Sequence, residues 1–267
     1  VGQLRAPIVA LIHHPLALEN GLDPDRAKEL YDSERANLAH AAQVIVPSPH
    51  TASLLVSDYD VPQTCIHIAR PGTDRPTQQR HPVDPPLIIS VGIQLPRKGH
   101  DVFLRALGLI TDLNWQAKIV GAPLDAAYAQ QLEDLRQSLG LADQVTLPGQ
   151  IDRDTLSMFF GQASLFALAT RFEGYGIVFD EALVHGLPIV SCAAGAVPDT
   201  VPPDAGLLVP PAAPDAFADA LRQILNNRGT HQSLATAAQR AGNALPGWHD
   251  TAAIAAAALN ATKVRKP

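Results

Sequence analysis

The sequence predicts an α/β fold whose sheets are mostly parallel and doubly wound. Short β-branched runs alternate with amphipathic helical stretches along nearly all of its 267 residues, and that alternation belongs to parallel sheets covered by helices. Glycine or proline follows several of the strands, and helices begin soon after. Those turns lie at the carboxyl ends of the strands, where doubly wound sheets carry their ligands.

Residues 7–12 form a first strand, closed at its carboxyl end by His13-His14-Pro15. Residues 23–42 follow as an amphipathic helix, with Ala27, Leu30, Tyr31, Ala36 and Leu38 set among Lys28, Glu29, Glu34 and Arg35. Residues 44–46 make a strand, Ser48 caps a short helix ending near Val56, and residues 65–68 make another strand. Residues 77–86 are polar and proline-rich and read as a linker.

A second series opens at Leu87. Strands are expected at 87–92, 117–120, 145–147, 165–168, 189–191 and 207–209. Helices are expected from near Gly99 to Ile110 and at 125–140, 154–162, 177–184, 214–226, 231–244 and 248–260, with a turn at 195–199. The predicted organisation is the remainder of an N-terminal Rossmann-like domain (1–76), the linker (77–86), a complete C-terminal Rossmann-like domain (87–245) and a C-terminal helical segment (246–267). The chain starts at Val1 with a strand close behind, as if inside a domain, and residues 263–267 read as a solvated basic tail.

Composition excludes several classes of partner. A net charge of −6 and a pI near 5.9 argue against a surface for nucleic-acid phosphates. The two cysteines, Cys65 and Cys192, are far apart and without metal spacing, which favours a reducing, cytoplasmic compartment. No apolar run is long enough for a transmembrane helix, and no signal peptide is visible.

The chemistry gathers in residues 171–190. Glu173 and Glu181 stand eight positions apart, and between them Gly174 and Gly176 flank Tyr175 ahead of an apolar helix. Glycines there let backbone come close to a ligand. A helix opening after such a turn, at Ile177, aims free N–H groups at an anion. The two carboxylates would lie about 10 Å apart, wider than the roughly 5–9.5 Å of a glycosidase pair. That spacing suits a long ligand gripped at two places. Arg97 and Lys98, between a strand end and a helix start, have the chemistry of a diphosphate clamp. Taken singly, each feature also fits a solvated charge or an ordinary strand-to-helix turn.

Glu-x7-Glu headed by Glu173-Gly174-Tyr175-Gly176 resembles the signature of the family-4 retaining glycosyltransferases of the GT-B fold. The resemblance implies that Glu173 contacts the donor sugar and Glu181 the ribose. Val91-Gly92-x4-Arg97-Lys98-Gly99 is similar to the family's donor-diphosphate motif, with Arg97 and Lys98 on the phosphates and Gly92 in the donor pocket. Gly121 and Pro148-Gly149-Gln150-Ile151 resemble its nucleotide-pocket loops, Gln150 and Ile151 meeting the base through backbone. Gly174, Tyr175, Gly176 and Ile177 would lie against the donor, and His13 is similar to a histidine that faces the donor sugar, with His14 the alternative if the register differs by one. The stretch from Gly195 to Asp199, with Gly206 and Val209-Pro210-Pro211, matches a segment that holds the helix of Glu181. Asp180 departs from the family's usual residue.

The resemblance thus implies a metal-independent, retaining transfer of a sugar from a nucleoside-diphosphate sugar to a hydroxyl acceptor, on a sugar or a lipid-linked molecule. No cofactor is needed beyond the donor itself. The family's chains carry a further half-domain at the N-terminus, so an N-terminal truncation or a separate complementary half is implied, and the last helix is expected to pack back on the first domain. The alternative is a nucleotide-sugar-binding fragment or subunit that turns nothing over without a partner half-domain. Peripheral membrane contact through a lipid acceptor is left open.

Overall fold

All strand pairings among the described residues (6–19, 21–77 and 79–262 of a computed structural model) run parallel. In chain order the first elements are β1 (Ile8–Leu11), α1 (Pro24–Leu38), β2 (Ala41–Val46), α2 (Pro49–Asp58) and β3 (Ile66–Ile68). Then come β4 (Leu87–Val91), α3 (His100–Gly108), β5 (Gln116–Val120), α4 (Ala126–Ser138), β6 (Val145–Gly149), α5 (Arg153–Gln162) and β7 (Ala163–Leu168). The last are α6 (Ile177–Val184), β8 (Ile189–Cys192), α7 (Val197–Thr200), β9 (Gly206–Val209), α8 (Pro214–Asn226), α9 (Arg228–Ala244) and α10 (Trp248–Ala261). The basic tail at 263–267 lies outside the described residues.

Two units divide these elements. The first takes Val1–Asp74, Glu173–Tyr175 and Pro246–Pro267; the second takes Arg75–Phe172 and Gly176–Leu245.

The first unit is built on the sheet β1-β2-β3. Asp23 caps α1 by accepting the Arg26 N–H at 2.9 Å, and Ser48 caps α2 by accepting the Thr51 N–H at 3.0 Å. Pro24 and Pro49 open these helices without costing a bond, because the first N–H groups have no intrahelical partner. Helix α1 stops at Leu38, short of the 23–42 expected. Ala41 pairs with Ile8 instead, so sheet pairing overrides the alanines' helical preference. Cys65 likewise belongs to a short 3-10 turn ahead of β3. Leu38, Val44, Val46, Leu55, Tyr59 and Val61 form the core on one face, and Ala258 of α10 packs with Ile45 and Ala69 on the other.

The second unit is built on the sheet β6-β5-β4-β7-β8-β9. Its strands alternate between two cores, as period-2 geometry demands. Ile88 and Leu165 join Phe103, Leu132 and Phe217 of α3, α4 and α8. Leu87, Ile89 and Phe166 join Phe160, Phe179 and Ala238 of α5, α6 and α9. Residues 75–77 and 79–86 carry no regular structure but are fastened to this unit. The His81 N–H donates to Gly161 O at 2.9 Å, and the Arg80 guanidinium donates to Ala163 O at 2.7 Å. The turn expected at 195–199 is in part helix α7, since Pro198 fits a helix's first turn.

Helices α9 and α6 meet at Gly242. A Cβ there would lie 2.2 Å from Leu183 O and 2.8 Å from Val184 Cα, both backbone. Gly161, in α5, would bring its Cβ no closer than 4.0 Å to another atom. The two glycines therefore predict opposite signs. Gly161→Ala is expected to stabilise the protein by about 0.4–1 kcal/mol through the unfolded chain. Gly242→Ala is expected to lower the urea midpoint despite the better helix former, because neither backbone can retreat without repacking α6.

Candidate functional site

In the second unit the chain begins its sheet at β4, adds β5 and β6 on one side, and then places β7, β8 and β9 on the other. The order reverses between β4 and β7, and a crevice at the carboxyl ends of those strands is where doubly wound sheets bind ligands. Two of the sequence's motifs leave from that point. Gly92, Arg97 and Lys98 follow β4, and the run from Thr170 toward α6 follows β7.

The strand ends are joined backbone to backbone. The Gly92 N–H donates to Val120 O and the Gly121 N–H to Gly149 O, each at 2.9 Å. A Cβ on Gly121 would sit 1.9 Å from Gly92 O, so only glycine fits at 121. A Cβ on Gly92 would come 3.2 Å from Lys98 Cδ, which places the lysine stem over this turn. His100, given no role by the sequence, is fully buried with Nε2 3.0 Å from Gly92 O. Burial pushes its pKa down to about 4, so the ring is neutral and donates to that carbonyl.

The loops after β4 and β7 are stitched together. Arg97 Nη1 donates to Phe172 O at 3.2 Å, while Arg97 O accepts the Arg171 N–H at 2.8 Å and the Thr170 hydroxyl at 3.1 Å. The Arg171 guanidinium grips Asp101 at 2.9 and 2.7 Å and also donates to Pro96 O. Tyr128 donates to Asp101 at 2.8 Å. Burial pushes the Asp101 carboxyl up, but the bonds from Arg171 and Tyr128 outweigh it and hold the group below its usual range. Arg171, Asp101 and Tyr128 were not singled out by the sequence, since nothing periodic links residues so far apart in the chain.

Gly176 opens α6 with φ +85°, a left-handed conformation that favours glycine. The first N–H groups of α6, beginning at the exposed Ile177, are without a side-chain cap. Glu181 lies on this helix, half-buried, and burial raises its pKa against the opposing pull of Arg153. Arg153, the first residue of α5, is a further residue the sequence did not single out; its one signal is a cation where a helix start disfavours it. Gln150 is exposed between β6 and α5, and Ile151 packs partly into the core beside α6. His185 closes α6, donating Nδ1–H to Glu181 O at 2.7 Å with its ring stacked on Phe160.

The first unit holds His13, Glu173, Gly174 and Tyr175. His13 is exposed at the end of β1, whereas His14 is engaged with Glu19, Nε2 to Oε1 at 2.5 Å. Glu173 is 4% exposed, so it is no surface loop charge, and Tyr175 is buried. Gly174 leaves no room for a side chain. A Cβ there would lie 2.5 Å from His13 O and 2.9 Å from His14 Cβ, so the close approach is made by the protein's own chain. Among the described residues, no group of three His, Cys, Asp or Glu is placed to hold a metal ion.

Residues 73–241 match the family described as Glycosyl transferases group 1. The chain is 28% identical over 270 aligned residues to the D-inositol 3-phosphate glycosyltransferase of Xylanimonas cellulosilytica, an alignment covering 92% of this chain and 64% of that protein. It is 32% identical over 155 residues to the GDP-mannose-dependent alpha-(1-6)-phosphatidylinositol monomannoside mannosyltransferase of Mycobacterium tuberculosis, covering 54% of this chain and 39% of that one. The chain spans 46% to 64% of the length of D-inositol 3-phosphate glycosyltransferases that it matches. Sucrose-phosphate synthase of Thermosynechococcus elongatus superposes with a TM-score of 0.86 at 25% identity, over 99% of this chain and 70% of that one. Anabaena HepE, solved with UDP and glucose, shares the fold with a TM-score of 0.83 at 18% identity, over 96% of this chain and 72% of that one. The fold is of the GT-B type.

Glu181 carries a pH signature. Its folded pKa lies above its ordinary value of 4.5, so the folded protein holds the proton longer than the unfolded chain. Stability from this group therefore falls as pH rises from about 4.5 through the folded value, so its contribution is less favourable at neutral pH than near pH 4. Glu181→Gln is expected to be more stable than the wild type at pH 7, with the advantage vanishing near pH 4. Urea midpoints at the two pH values check this.

Proposed function

This chain belongs to the glycosyl transferases group 1 family, and we propose that it moves a sugar from a nucleoside-diphosphate sugar to a hydroxyl acceptor, retaining the anomeric configuration and needing no metal. The observation that carries the proposal is the stitching of the Arg97–Lys98 loop to the β7 end at the switch point, on the sheet whose β7–α6 turn leads into the uncapped start of α6. Two adjacent cations, Arg97 held through Phe172 O, and a helix N-terminus suit a leaving diphosphate, whose charge grows as the glycosidic bond breaks. Cations held in place cost no reorganisation at that moment.

The remaining roles are those that the family resemblance implies. Glu181 accepts the ribose hydroxyls, and a half-buried carboxylate suits that task because few waters compete for it. Backbone at Gln150 and Ile151, with the Gly92 and Gly121 turns, cradles the nucleoside. Glu173 orients the sugar, and His13 faces it. Retention proceeds by attack on the same face as departure, guided by the leaving phosphate, with no carboxylate assigned as nucleophile. A GDP-mannose-dependent relative and a UDP-bound structural neighbour support a nucleoside diphosphate as the donor's handle. The acceptor is a hydroxyl on a sugar or a lipid-linked molecule. The free thiols Cys65 and Cys192 support a cytoplasmic location, with membrane contact only through such an acceptor.

The alternative is a nucleotide-sugar-binding module without turnover of its own. In it the chain binds the donor and a complementary half is needed for turnover. Donor hydrolysis or transfer by this chain alone decides against that reading.

Calorimetric titration with UDP, GDP, ADP and their sugars tests the donor site. Micromolar binding of one nucleotide is expected. Lys98→Ala is expected to weaken it about 10- to 100-fold, as for a lost charged hydrogen bond of about 1.5–3 kcal/mol. Glu181→Ala is expected to weaken it by a similar factor. Failure of every nucleotide to bind, or binding indifferent to both substitutions, overturns the proposal.

A further inference from the structure

Ser48 and Thr51 lie far in sequence from residues 171–190, yet both meet that stretch at one atom. The Ser48 hydroxyl donates to Gly174 O at 2.7 Å and the Thr51 hydroxyl to the same carbonyl at 3.1 Å. Both side chains are fully buried. The Ser48 oxygen in turn accepts the Thr51 N–H at 3.0 Å, so the cap of α2 and the grip on Gly174 share one atom. An N-cap needs only an acceptor oxygen, which Asp or Asn would supply as well. A donor at 48 and a second donor one turn later serve something besides the cap. They fill both lone pairs of a single carbonyl.

That carbonyl belongs to the tripeptide Glu173–Tyr175, which sits with the first unit although both of its flanks belong to the second. On its other side the tripeptide meets His13 and His14 so closely that no Cβ fits at Gly174. The tripeptide is therefore pinned from two directions, by hydroxyls at the start of α2 and by backbone at the end of β1. We infer that Ser48 and Thr51 are positioning residues for Glu173. They fix the peptide next to it, and through Gly174 they set the place of Glu173 relative to His13. The inference rests on the assignment of Glu173 as the donor-sugar contact.

Thr51→Val separates this role from the cap, because it removes one hydroxyl, keeps the shape and leaves Ser48 in place. Thr51→Ser restores the donor. Two readouts on the whole chain are compared. Amide hydrogen exchange follows residues 172–176, with α2 and the β4–β7 strands as internal controls. Calorimetry compares the affinity for the nucleoside diphosphate with that for its sugar.

In Thr51→Val, exchange at 172–176 is expected to rise at least about tenfold while the controls hold. Diphosphate affinity is expected to stay within about twofold while the extra affinity contributed by the sugar is lost. Thr51→Ser is expected to behave as the wild type in both readouts, which a packing defect at 51 would not do. Faster exchange in a protein that binds no nucleotide at all upholds the clamp and sinks the donor assignment instead. Unchanged exchange, or faster exchange with the sugar's contribution intact, overturns the inference.

Discussion

The carbonyl of Arg97 accepts the Arg171 amide and the Thr170 hydroxyl, and through these two bonds the end of β7 is held against the loop that follows β4. Everything assigned to the diphosphate depends on that junction. Lys98 is next in the chain, the Arg97 side chain returns a bond to Phe172, and the Arg171 guanidinium locks the outside through Asp101. A cation held by main-chain carbonyls has little freedom to drift, which is what the proposed role on a leaving diphosphate asks of it. Such preorganisation lets electrostatics act on a transition state without a reorganisation penalty. The strand order reverses at this place, and the hydrogen bonds tie the two loops that leave from it.

The same economy governs close packing around the site. Gly121 abuts the Gly92 carbonyl, and Gly242 abuts the backbone of the helix bearing Glu181. In both places main chain touches main chain, which leaves no side-chain motion to absorb an error. Glu181 contributes in the opposite direction, as a carboxylate kept partly out of water. A protein that spends stability on one acid has reason to brace the helix carrying it.

Much of this was legible in the sequence because it is local. The helices at 177–184 and 214–226 occupy those residues, since glycine and proline punctuate the chain around them. Ser48 declared its cap for the same reason. Where long-range pairing competes with local preference, the sequence misleads, as at Ala41 and Ala42, which carry helical preference but join β2. The supporting residues of the site were illegible for a related cause. Asp101 finds Arg171, His100 finds the Gly92 carbonyl, and Arg153 faces Glu181 only once the sheet is assembled. At Gly174 the sequence states only that something comes near. It is the peptide of His13 that does.

The placing of Glu173–Tyr175 with the first unit bears on how such a protein can be taken apart or recombined. The chain passes between its two units after Asp74, after Phe172, after Tyr175 and after Leu245. A fragment of residues 75–245 would carry those three residues away from the hydroxyls and backbone that hold them. A chimera joined near residue 75 would likewise inherit its tripeptide from one parent and the bed for it from the other. Residues 13, 14, 48 and 51 then form one inheritable block with 173–175, and exchange of halves between relatives succeeds only where that block travels whole.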